Sequence, residues 1–216
     1  MVLNTFDTFC HRSDLPMDLS EQDPQNPKEI LKIVEERVAK DIGAVIVAPG
    51  VSEELRERLA TTLKGRIPVI TIKGTPLIEP NALARVETLY EVVTMETNTM
   101  KYFAPEALVR GLKGGFTPLL ERLKLRLSPV EGFFELLNLI FPRGISGAIL
   151  AALIATECLG PEVLGKTQDL IVVAGSTRAE GWDTALVLRA ARSKDLFFRT
   201  DQPVVKEILA MPRTKR

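Results

Sequence analysis

The stretch Asp169 to Ala190, DLIVVAGSTRAEGWDTALVLRA, decides how the rest of the chain is read. Leu170 to Val173 is a short apolar run that stops at Ala174-Gly175-Ser176-Thr177. A polar loop bent by Gly181 follows, and Thr184 to Leu188 begins a second strand-like run. Two strands are therefore joined by a loop of small hydroxyl residues, with one Arg and one Asp. Backbone N–H groups and hydroxyls in such a loop can converge on one anion, so it suits a phosphate-bearing ligand. It names no reaction.

Upstream, Asn26-Pro27 supplies a helix start, with Asn as N-cap and Pro in the first helical position. Ile30, Val34 and Val38 fall on one face of that helix, and Gly43 is expected to end it. Ala44 to Ala48 is continuously apolar, as suits a strand covered on both faces. After Pro49-Gly50, Ser52 is the expected N-cap of a helix carrying Leu55, Leu59 and Leu63, closed by Gly65. Val69 to Ile72 reads as the next strand, completing one βαβ unit with a parallel pair.

Lys73-Gly74-Thr75-Pro76 reads as a turn, residues 79 to 90 as a short helix, and Val92 to Met95 as a third strand. Residues 97 to 115 read as loop with a short helix at Pro105 to Leu112. Thr117-Pro118 opens a helix to about Leu127, and Ser128-Pro129 opens another over Val130 to Phe141. Gly144 to Leu159 is nearly all apolar, so it should be a central helix. Strands follow near 169–174 and 184–190, and the last covers Val205 to Met211. Residues 1–26 are irregular, and 1–216 read as a single α/β domain.

The 216 residues are enough to bury a sizeable core. Hydrophobic residues make up 45% and charged residues 26%, with a formal net charge of zero. The balance argues against general nucleic-acid binding, which needs a basic excess. Cys10 and Cys158 form no CxxC pair or disulfide framework, so a cytoplasmic, reducing setting is expected. With His11 the one histidine, a multi-histidine metal site is impossible. No metal is expected, and no catalytic set stands out. No signal peptide is visible in Met1 to Cys10. The clean apolar run from Ile145 to Thr156 is shorter than the ~20 residues that span a bilayer, so no membrane role is expected.

Three loops are candidate sites. Gly50-Val51-Ser52 lies at the C-terminal end of the first βαβ strand, where open α/β sheets bind ligands; the competing reading is a tight turn and an ordinary cap. Gly114-Gly115-Phe116-Thr117 would let a ligand approach the backbone, or is a linker into a helix. The opening loop offers Gly175, Ser176, Thr177, Arg178, Gly181, Trp182, Asp183 and Thr184. Trp182 suits stacking on a planar ring or covering the core edge. The paired carboxylates Glu53-Glu54 and Glu35-Glu36 read as solvated helix faces.

VVAGSTRAEGWDTALVLRA, with the closing EILAMPR, resembles the stand-alone proteins similar to the C-terminal domain of pyruvate kinase. Their G-A-D-T-A element appears as Gly181-Trp182-Asp183-Thr184-Ala185, and their I-I-A-M-P-R tail as Ile208 to Arg213. Their G-G-x-T-P element appears as Gly114 to Pro118. The helix and strand of the first unit match from about Pro27 to Ile72. The resemblance covers most of the chain after residue 26 and is specific over about the last 50 residues. It implies a three-layer α/β/α fold with a mixed, mostly parallel sheet. It also implies a phosphorylated ligand, with FMN the best suggestion, held at the loop Gly175 to Thr184. No pyruvate kinase activity is expected, because the catalytic barrel is absent. The chain departs from the family at Asn26-Pro27, where an Asn-Thr pair is usual, and at Ala48-Pro49-Gly50, where more Thr and Ser are usual. Pro49 removes one N–H donor.

Three classes of function follow. The leading expectation is a binder of a phosphorylated small molecule through Gly50, Ser52, Ser176 and Thr177, with Arg178 pairing charge and Asp183 taking a ligand hydroxyl or fixing its own loop. A flavin-dependent or phospho-metabolite enzyme is the second, marked by turnover with a reductant and an acceptor. The third is an interaction protein whose ligand site has decayed, marked by partners and no bound small molecule. A homo-oligomer stays open, since residues 130 to 156 suit a subunit interface as well as a core.

Overall fold

Helix α1 spans Pro27–Val38 and begins at the predicted proline. Ile30, Val34 and Val38 are its buried face. The left-handed residue that follows is Asp41, with φ 54°. Gly43, expected to end the helix, instead donates its N–H to the Asp169 carbonyl at 2.8 Å and so joins the sheet. Aspartate is one of the few residues besides glycine that visits this conformation. The computed structural model describes residues 27–38, 41–78, 86–94, 99–103, 137, 141, 143–160, 169–175, 184–195 and 203–210.

Strand β1 is Ala44–Val47 and is buried throughout. Helix α2, Glu53–Leu63, buries Leu55, Leu59 and Leu63 and is followed by Gly65 at φ 75°. Strand β2 runs from Val69 to Ile78, well past the expected end at Ile72. The expected turn Lys73 to Pro76 is strand, paired antiparallel with β3, Val86–Thr94. Beyond Thr71 no β1 pairing is recorded for β2, so Pro76 lies where the missing N–H does little harm. The short helix expected over 79–90 is corrected by the same ladder: residues 86–90 are strand, and 79–85 lie outside the described residues. Strand β4, Thr99–Phe103, falls where a loop was expected.

Helix α3, Arg143–Leu159, is the predicted central helix. Strands β5, Asp169–Ala174, and β6, Thr184–Arg189, lie where predicted. A short 3-10 turn at Ser193–Asp195 precedes β7, Val204–Ala210. Of the helix expected over 130–141, only Leu137 and Phe141 are described; Leu137 is helical and its carbonyl accepts from the Phe141 N–H at 2.7 Å. The N-terminal segment 1–26 and the helices expected over 105–112 and 117–127 lie outside the described residues.

The strands form one seven-stranded sheet in the order β4-β3-β2-β1-β5-β6-β7. β1 pairs parallel with both β2 and β5. The other four pairings are antiparallel. The sheet is therefore mixed, as expected, but the expectation of mostly parallel pairing is overturned. Apolar periodicity carries no direction, and the connections after β2, β3, β5 and β6 reverse the chain instead of crossing over.

Alternation along the strands divides the core in two. Ile46, Ile70, Ile72, Leu170, Val172 and Leu186 pack with α3 on one face. Val45, Val47, Val69, Ile171, Val173 and Val187 pack with α1 and α2 on the other. The result is a helix–sheet–helix stack around β1 and β5. Among the described residues, no helix is long and apolar enough to cross a membrane.

One polar contact crosses between a helix and the sheet edge. Arg37 of α1 donates from Nε and Nη2 to both carboxylate oxygens of Glu207 in β7, at 2.9 and 2.8 Å. Both side chains are mostly buried, at 13% and 24% exposure. Such a two-pronged, partly desolvated pair is worth more than a surface ion pair. Arg37→Met should lower the unfolding free energy by about 1–3 kcal/mol in urea titration. An unchanged midpoint would show that the pair contributes nothing.

Candidate functional site

The parallel register of β1 and β5 sets Val47 beside Val173, and the Ala48 N–H donates to the Val173 carbonyl at 2.8 Å. Antiparallel β6 places Thr184 opposite Ala174, and β7 places Ala210 opposite Ala185. The residues following β1 and β5 and the first residue of β6 therefore share one sheet edge. Gly50, Ser52, Gly175 and Thr184 are brought together there from positions up to 134 apart in sequence. The remaining predicted positions, Gly114, Gly115, Thr117, Ser176, Thr177, Arg178, Gly181 and Asp183, lie outside the described residues, as does Trp182.

The loop after β1 has a specific geometry. Gly50 has φ 90°, a conformation strained for any side chain, while a Cβ there would meet no atom within 4 Å. The demand for glycine is thus conformational, since no described residue crowds its backbone. Ser52 occupies the N-cap of α2 in extended conformation, but its hydroxyl makes no capping bond. Its carbonyl accepts the Arg56 N–H at 3.1 Å. A glycine backbone and a hydroxyl not engaged in capping are groups a phosphate can use. Thr184 differs: it is fully buried, so its side chain belongs to the interior and not to an open loop surface.

Charged side chains near this loop complete the picture. Glu53 and Glu54 fill the first turn of α2 and offset its N-terminal dipole. As expected for a solvated face, both side chains are exposed, at 61% and 73%. Glu54 pairs with Arg58 at 2.6 Å. Glu53 accepts from Arg56 Nη1 at 3.1 Å and lies 3.6 Å from Lys73 Nζ. Val47 pairs with Thr71, the last β1–β2 partners, and Lys73 lies two residues further along β2. Sequence reading missed Arg56 and Lys73. The i,i+3 spacing of Glu53 and Arg56 was available, but the approach of Lys73 depends on the β1–β2 register.

Among the described residues, no group of three or more His, Cys, Asp or Glu side chains is placed to hold a metal ion. Cys158 sits near the end of α3, half-buried. Burial, and secondarily the neighbouring Glu157 carboxylate, pushes its thiol up to about 11 from 9.0. The thiolate is the reactive form, so Cys158 should alkylate slowly at neutral pH. In a Cys10→Ser background, the iodoacetamide rate should keep climbing as pH approaches about 11. Rapid labelling near pH 7.5 would contradict this. Because the folded thiol keeps its proton after the unfolded one has lost it, Cys158 contributes stability that is lost as pH rises from 9.0 through about 11. Cys158→Ala should flatten that part of the stability profile.

Comparison with known protein families finds no family model that matches the chain, and comparison with curated proteins finds no matching relative.

Proposed function

We propose that the chain is a cytoplasmic relative of the pyruvate kinase C-terminal domain that binds a phosphorylated small molecule, without pyruvate kinase activity. The site is the edge formed by the C-terminal ends of β1 and β5. One observation carries this reading. β1 and β5 are parallel neighbours at the centre of the sheet, so their carboxyl ends share one edge, and there the chain parts: from β1 into α2 on one face, from β5 into antiparallel β6 within the sheet. A crevice between strands whose connections diverge in this way is where open α/β sheets take ligands.

The phosphate contacts fall to the backbone N–H groups and hydroxyls of Gly50, Ser52, Ser176 and Thr177, with Arg178 adding charge. FMN is the first compound to test. When bound it would supply redox chemistry of its own, and the chain would bind and orient it through its phosphate.

The test is native mass spectrometry of freshly purified protein, followed by titration with FMN and with inorganic phosphate. A mass shift matching FMN or another phosphorylated compound is the expected result. The double variant Ser176→Ala, Thr177→Ala should then bind that compound about tenfold more weakly, the scale of one or two lost charge-assisted hydrogen bonds. Unchanged affinity would remove the opening loop from the site. No co-purifying compound together with no saturable FMN or phosphate binding would overturn the reading.

A further inference from the structure

We infer that Arg56 and Lys73 form the cationic half of the anion site at the end of β1, and that the Glu53 carboxylate is the internal competitor for that anion. The inference rests on the phosphate-ligand reading above and adds the residues that give the site its charge.

Two cations from different elements converge on one carboxylate. Arg56 Nη1, from α2, is 3.1 Å from Glu53 Oε2, and Lys73 Nζ, from β2, is 3.6 Å from Glu53 Oε1. They border the candidate loop through Glu53, the first residue of α2 after the Ser52 N-cap, on which both cations converge.

The two sides of this cluster differ in burial. The Arg56 side chain is only 13% exposed, whereas Glu53 is 61% exposed. Arg56 Nε is buried and makes no hydrogen bond. A guanidinium carries five donors, and removing it from water is costly unless they are used. Stabilising α2 alone would be served as well by an exposed arginine, as in the neighbouring Glu54–Arg58 pair, where Arg58 is 48% exposed. A mostly buried arginine side chain with an unspent Nε donor, held by one solvent-facing carboxylate and joined by a second cation, suits an acceptor with more oxygens and more charge than Glu53 brings. A phosphate group has both. When it arrives, Glu53 swings into water at small cost, since its side chain is already largely solvated.

The test uses the full chain, with inorganic phosphate and FMN as probes in calorimetric or NMR titration at fixed ionic strength. Glu53→Gln should tighten phosphate binding about threefold to tenfold, and Lys73→Met should weaken it by a similar factor. Both side chains are exposed enough that the variants should keep the wild-type circular dichroism spectrum. Arg56→Lys, which keeps the charge and loses the planar fork, should also weaken binding. If Glu53→Gln and Lys73→Met leave affinity unchanged while the Ser176, Thr177 pair reduces it, this inference falls and the proposed function stands. If they change affinity while that pair does not, the inference stands with the site confined to the end of β1. Absence of phosphate and FMN binding in wild type and Glu53→Gln alike would overturn both.

Discussion

Ile46→Ala should lower the unfolding free energy by about 2–5 kcal/mol, read as a lower urea midpoint with little change in slope. Ile46 is fully buried on β1, with Ile70 beside it on β2 and Val172 on β5. It belongs to the core under α3. The loss has two parts, the transfer of the missing methyl and methylene groups and the cavity left behind. The second part should be large here. β1 is hydrogen-bonded on both sides, so the backbone cannot close in. A domain holds roughly 5–15 kcal/mol in total, so this one change consumes a large share of it. A loss below about 1 kcal/mol would mean that the α3 side of the sheet is loosely packed.

Ala151→Leu should destabilise by about 1–3 kcal/mol for the opposite reason. Ala148, Ala151 and Ala155 are completely buried and lie on the same core as Ile46, at spacings that keep them on one side of the helix. Alanine there is enclosed on every side. A leucine must displace either the helix or the strands below it. The change raises hydrophobicity and helix propensity is nearly unaltered, so a transfer argument alone predicts a gain. A fall in melting temperature therefore isolates close packing as the cause. A rise would show that space exists between α3 and the sheet.

Much of the fold was legible in the sequence where local and tertiary preferences agree. AVIV has no alternation because β1 is covered on both faces, and Leu55, Leu59 and Leu63 repeat because α2 has only one buried face. The misreadings cluster in residues 73–103. Gly74 and Pro76 are turn formers in isolation, yet they lie in a strand with a recorded partner on one side, β3. Val86, Thr88, Tyr90, Val92 and Thr94 carry β-branched or aromatic side chains at every second position, a period-two signal of β3 that its acidic neighbours disguised. The edge on which the proposed site lies was legible, because Gly50 and Gly175 follow the ends of β1 and β5. Arg56 and Lys73 were not, because they are 17 residues apart and their meeting depends on how β2 is set against β1.

The pairing of Ala44 with Leu170 has a consequence for biosynthesis. The two residues are separated by 126 positions, so a ribosome must release well over half of the chain before the central strand gains its second neighbour. Until then one side of β1 offers open amides and carbonyls flanked by apolar side chains, an invitation to pair with another nascent chain. Closing so distant a contact is also entropically slow. The interval between the emergence of β1 and the arrival of β5 is thus when this protein is most exposed to aggregation, and when a chaperone would have most to protect.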